Sequence, residues 1–176
     1  MKLKIINEIG ERGPSKKILE RWLMKIVKEA ELNKSGKSSL CQGRNDELKI
    51  WCRGGYIELC YVTDAEITNW NKQYRDKRES TDVLSFSFLG HLIFPMDNLV
   101  GQVFIAPKIA EKQADQNHWN LSQEIEFLFI HSILHIIGYN HKTPKEFEKM
   151  FGLHLKIMKN ALDVKDVIEK YRQESF

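Results

Sequence analysis

The chain has 176 residues, long enough for one domain with a substantial core. Its 42% hydrophobic and 29% charged residues are those of an ordinary globular protein, and no apolar run approaches the roughly 20 residues of a membrane span. A formal net charge of +3 permits an acidic partner such as RNA without requiring one.

Cys41, Cys52 and Cys60 show no CxxC spacing and read as reduced thiols rather than a disulfide framework. The opening Met1–Glu8 is too short and too interrupted by charge for a secretory signal, so a cytoplasmic protein is expected.

In chain order, residues 2–8 read as a strand, and Ser15 after Pro14 caps a helix to about Leu32. Leu19, Trp22, Leu23, Ile26, Val27 and Ala30 recur at helical spacing and predict its buried face. Residues 33–46 are polar and rich in Ser, Gly and Lys, which predicts a mobile loop. Glu47–Arg53 and Tyr56–Val62 flank Gly54-Gly55, a pair suited to a two-residue turn, so a hairpin is expected.

Thr63 and Glu66 make a capping box for a short helix with Ile67, Trp70 and Tyr74 as its predicted buried face. That helix runs out into a basic cluster, Tyr74-Arg-Asp-Lys-Arg78, whose composition alone reads as solvated surface. Val83–Phe88 and Leu99–Ala106 read as strands around a loop from Leu89 to Asn98. Pro107 suits the first position of a helix ending near Asn117, and Asn120 with Gln123, or Ser122 with Glu124, opens the next.

Thr143-Pro-Lys-Glu146 is a further helix start, with Phe147, Met150, Phe151 and Leu155 as its packing side. Residues 163–176 form a charged tail able to make one more helix. With no repeat and no linker, the expectation is one compact α/β (α+β) domain over 1–176.

The chemistry concentrates in Phe129–His141. His131 and His135 lie four apart, one helical turn, and point their imidazoles at a common point. Gly138 suits a left-handed helix cap, so the chain turns back and His141 arrives from a loop. Three such nitrogens are three corners of a tetrahedron, as in catalytic zinc sites that keep the fourth corner for water. Two buried structural histidines are the plainer reading, but leaving them unpaired costs about 1–3 kcal/mol per unmet group, and a metal removes that cost. The position after the first histidine, where His-Glu-x-x-His proteases carry their base, is Ser132.

His131-Ser-Ile-Leu134-His135-Ile-Ile-Gly138-Tyr139-Asn140-His141 resembles the motif His-Gly-x-Leu-His-Leu-x-Gly-Tyr-Asp-His of the bacterial YbeY family, the rRNA maturation endoribonucleases. A second matching block is Asn71, Tyr74, Arg75 and Thr81-Asp82-Val83-Leu84-Ser85-Phe86; a weaker third is Gly101-Gln102-Val103. Glu124 and Leu128 also fall where the family has them, so the resemblance spans about 57 to 151. It implies a mixed sheet of about four or five strands packed with helices, and a zincin-like metal helix. It further implies one Zn²⁺ per chain on His131, His135 and His141, other divalent transition metals being accepted as well, and Arg75 as the catalytic arginine.

The implied activity is single-strand-specific hydrolysis of RNA phosphodiesters by activated water, at the 3′ end of 16S rRNA and in ribosome quality control. The implied partners are rRNA and the small ribosomal subunit, with ribosomal-protein and assembly-GTPase contacts. Lys72, Lys77 and Arg78 are expected to track the RNA backbone, while Asp82 caps a turn or orders its strand. No residue is assigned as general base.

The chain departs from the family pattern at Ser132 for glycine, at Gln102 and Asn140 for aspartates, and at His154 for a polar or acidic residue. Two rival readings stay open: a metalloprotease, which needs a carboxylate at 132, and a non-catalytic ribosome-assembly factor with a structural metal.

Overall fold

Tyr56–Tyr61 reads Tyr-Ile-Glu-Leu-Cys-Tyr, and such a run is covered on both faces only inside a sheet. It forms β2, flanked by β1 (Lys2–Ile6) and β4 (Leu99–Ile105), both parallel to it. β3 (Val83–Ser87) pairs antiparallel with β4 at the edge, giving a four-stranded mixed sheet in the order β1-β2-β4-β3. The computed structural model describes residues 1–32, 54–76, 79–89, 98–158 and 164–175. Six helices fall among the described residues: α1 (Lys16–Leu32), α2 (Asp64–Arg75), α3 (Pro107–Gln116), α4 (Leu121–Ile136), α5 (Pro144–Met158) and α6 (Lys165–Ser175).

The hairpin expected at Gly54-Gly55 is a correction. Both edges of β2 are taken in parallel register, Lys2 opposite Tyr56 on one side and Cys60 opposite Phe104 on the other. The local turn signal was outweighed by burial of β2 between two neighbours. Residues 33–46 and 47–53 lie outside the described residues, as do Lys77 and Arg78.

α4 is the helix around which the core is laid. Ile125, Phe127, Leu128, Phe129, Ile130 and Ile133 are wholly buried, since the helix packs on β3, β4, α1 and α3 and is crossed by α5. Its C-terminal turn lies tight on the sheet because β4 carries Gly101 there. A Cβ at Gly101 would stand 2.8 Å from the Phe86 carbonyl oxygen and 2.9 Å from Ile136. The third motif block therefore contributes a close approach, one residue from His135.

The opposite face holds a smaller core of Cys60, Val62, Ile67, Leu84 and Ala106 under α2. Here Tyr74 is a second correction. It has the register of Ile67 and Trp70, yet it is 60% exposed, and the residues α2 buries fully are Ile67 and Asn71. β3 is the sheet's edge, and there the Phe86 ring meets Tyr74 edge-on at 5.2 Å.

In α5 the buried face runs Phe147, Met150, Phe151, His154 and Ile157, with Leu155 only half-buried. The charged tail does form a helix, anchored by Val164, Val167 and Ile168.

Candidate metal centre

Of the two starts its sequence offers, α4 uses Asn120 with Gln123. The Asn120 side chain accepts from the Gln123 amide at 3.0 Å, and Gln123 reaches back to the Asn120 amide at 2.8 Å. It ends on Gly138, at φ 97°, with the Gly138 amide donating to the His135 carbonyl and the Tyr139 amide to the Leu134 carbonyl. That paired arrangement is the glycine-capped C-terminal motif, and it reverses the chain so that His141 swings back beside the helix. α5 then starts at Thr143, whose hydroxyl and amide both bind Glu146.

The ring nitrogens of His131, His135 and His141 lie within 4.8 Å of one another. The Nε2 atoms of His131 and His135 are 3.0 Å apart, close to the ~3.3 Å between two corners of a tetrahedral zinc site with Zn–N near 2.05 Å. His135 donates Nδ1–H to the Tyr139 carbonyl at 3.0 Å, which leaves its Nε2 lone pair free for a ligand. Burial lowers all three pKa values, His135 to about 4 and His131 well below its ordinary value, with the neighbouring imidazoles acting in the same direction on both. Neutral imidazoles with free lone pairs are what a divalent transition metal requires, so the donor set fits the ion the motif implies. The triad can hold a metal ion.

Arg75 closes the other side. It ends α2, which is capped at its start by Thr63 and Glu66 and at its end by Asp76 in the left-handed conformation. Asn71, one turn earlier, donates from Nδ2 to the Glu79 carbonyl at 2.8 Å and ties the helix to the segment leading into β3. Burial lowers the Arg75 pKa, and attraction from Asp82 opposes the shift. The Asp82 carboxyl is itself raised by burial, with the Thr81 hydroxyl, nearby backbone amides and Gln113 holding it back. Asp82 is a buried anchor beside Arg75, and it does not line the cleft.

A cleft of about 530 Å³ brings Arg75 together with His135, His141, Ser85, Ser87 and Lys142. His131 sits behind them, 7% exposed. Ser85 and Ser87 alternate with Phe86 along β3, so both face the cleft, and Ser87 donates to the Ile136 carbonyl at 2.8 Å. Asn140 also lines the opening, its side chain beside the His135 ring. Lys142 and Ser87 were not singled out from the sequence. A lysine directly after the last histidine and a serine two residues after Ser85 were the available signals. Lys72 is exposed on α2.

The family model described as Endoribonuclease YbeY matches residues 8–162. The chain belongs to this family. An Endoribonuclease YbeY of Onion yellows phytoplasma is 41% identical over 109 residues, covering 60% of this chain and 73% of that protein. One from Francisella tularensis is 32% identical over 120 residues, covering 66% and 74%. A solution structure of a Thermotoga maritima protein aligns over 98% of this chain and 93% of its own, at 20% identity and a TM-score of 0.46.

Two departures from the YbeY pattern acquire physical content. Gln102 stands opposite Glu58 on β2 and donates to its carboxylate at 2.6 Å, while Lys4 on β1 holds the other oxygen at 2.8 Å. Ser132 is buried, and its hydroxyl has no hydrogen-bond partner among the described residues. No described helix is long and apolar enough to cross a membrane.

Proposed function

We propose that this chain is a single-strand-specific, metal-dependent endoribonuclease. It hydrolyses RNA phosphodiesters in ribosomal RNA maturation, at the 3′ end of 16S rRNA, and in ribosome quality control. It works in the cytoplasm on the small ribosomal subunit, with ribosomal-protein and assembly-GTPase contacts. The observation that carries this reading is that Arg75 and the open side of the histidine triad share one cleft.

His131, His135 and His141 hold one zinc ion through neutral nitrogens. When bound, the zinc supplies Lewis acidity and lowers the pKa of water towards roughly 7. Arg75 presents its planar fork to the scissile phosphate and balances the charge that develops there. Lys142 adds positive charge at the mouth, and the Ser85 and Ser87 side of the cleft supplies polar contacts to the backbone. A protease needs a carboxylate at position 132; Ser132 is 1% exposed and is not among the residues lining the cleft, which disfavours that chemistry.

Arg75→Lys separates an enzyme from an RNA-binding assembly factor. Lysine keeps the charge and loses the fork, so RNA binding at fixed salt should stay nearly unchanged. Single-turnover cleavage of single-stranded RNA should slow by on the order of 10²–10³, and a chelator should stop cleavage by the parent chain. Equal losses in binding and cleavage demote Arg75 to a backbone contact. A zinc-loaded parent that binds RNA without cutting it establishes the assembly factor instead.

A further inference from the structure

His135 has its second-nitrogen partner in the Tyr139 carbonyl, but among the described residues His131 has none: its Nδ1 is buried and meets no hydrogen-bonding group there. A ligating imidazole is normally oriented by a bond from its other N–H, which also makes it a better donor to the metal. The other side-chain nitrogen left buried and unpartnered among the described residues is Nδ1 of His154. His154 lies on α5, is wholly buried, and stands 6.2 Å from His131 between ring centroids.

The two rings carry complementary protons. His154 Nε2 lies 3.3 Å from the Phe127 carbonyl, which can only accept, so Nε2 bears the hydrogen and Nδ1 a lone pair. His131 turns Nε2 towards His135 and the metal position, so its hydrogen is on Nδ1. One unmatched donor and one unmatched acceptor therefore sit on rings 6.2 Å apart. Phe127 and Phe151 flank both rings, and Tyr171 packs beside His131. Two hydrogen bonds through a single water span about 5–6 Å between end atoms, compatible with rings at this separation and too long for a direct bond. A water between two such groups is the usual tenant of a polar interior site.

We propose that His154 is a positioning residue for the metal centre, its Nδ1 accepting through one bridging water the proton that His131 carries on Nδ1. The inference rests on the reading that the triad holds zinc. It gives the departure at position 154 a purpose: an imidazole here serves as the acceptor where the family has other polar groups.

The test is zinc affinity, measured by competition with a chromogenic chelator, for the parent chain, His154→Gln, His154→Leu and Ser132→Ala. Glutamine keeps an acceptor at similar reach and should bind zinc within about threefold of the parent. Leucine fills the space without an acceptor and should bind about 10–100-fold more weakly. Ser132→Ala removes the remaining orphan polar group on the adjacent residue and should leave affinity unchanged.

In the unsubstituted zinc-loaded chain, ¹⁵N NMR should show His154 protonated on Nε2 and bare on Nδ1, a readout independent of whether any variant folds. His154 protonated on Nδ1, leucine binding as tightly as the parent, or glutamine losing as much as leucine each overturns the proposal. So does a loss confined to Ser132→Ala. A parent chain that takes up no zinc overturns the metal reading itself, a result distinct from all of these.

Discussion

Glu124→Gln should stabilise this protein above neutral pH and do little below pH 5. Glu124 is 1% exposed on α4, two turns before His131, and burial pushes its pKa from 4.5 up to about 7. The Asn117 amide, donating at 3.1 Å, and Lys170 work against that rise, while the Asp82 carboxyl adds to it. An acid whose pKa is raised on folding binds its proton more tightly in the native state. Its contribution is fully present below about pH 4.5 and is lost as pH climbs to about 7. The displacement corresponds to about 3 kcal/mol in all, of which about 2–3 kcal/mol falls between pH 5 and pH 8.

The histidines have the opposite sign. Their folded pKa values are depressed, to about 4 for His135 and His154, so their contribution is present above about 6.5 and is lost on acidification. The parent's own pH profile therefore mixes two opposed trends. A double difference isolates Glu124: urea unfolding of parent and Glu124→Gln at pH 5 and pH 8, at one free-zinc level. The advantage of glutamine should grow by about 2–3 kcal/mol from the lower to the higher pH. An advantage that is the same at both pH values, or that shrinks as pH rises, refutes the burial argument.

Ser132→Ala should raise stability by about 1 kcal/mol, since it removes a buried hydroxyl without a partner and installs a better helix former. A lower urea midpoint would mean that the hydroxyl is bonded. Gln102→Asp sets a second carboxylate directly across from Glu58 and should cost about 1 kcal/mol at pH 8. The cost should fade below about pH 4 as the carboxylates take up protons, and a loss unchanged by acid points to packing rather than charge.

What the sequence showed plainly was what a few neighbouring residues decide among themselves. The capping boxes at Thr63 and Thr143 formed, and of the two starts open for α4 it is Asn120 with Gln123, because donor and acceptor are three residues apart whatever the rest of the chain does. The histidine pair and the Gly138 cap are equally local, and the triad follows from them. Gly54-Gly55 misled because turn propensity says nothing about which strand edges are free, and β1 and β4 occupy both edges of β2. Tyr74 misled because a helical stripe predicts a face and not the width of the sheet beneath it. Glu124 and His154 were unreadable for a third reason. Each owes its shifted pKa to burial by residues distant in sequence, which no local pattern reports.

The two aspartate-to-amide departures work differently although they look alike in sequence. At Gln102 the amide is required by a neighbour: with Glu58 opposite, a donor completes the Lys4–Glu58–Gln102 row across three strands, whereas a carboxylate would crowd one anion against another. The residues that line the cleft with Asn140 include no carboxylate to impose the same demand. It opens onto the cleft beside His135, in the company of Arg75 and Lys142. An amide there keeps the hydrogen-bonding atoms and removes one negative charge, so the positive field of Arg75 and Lys142 reaches an incoming phosphate less opposed. The first substitution is bound to the stability of the sheet. The second lies at the cleft and leaves the three nitrogen donors as they are.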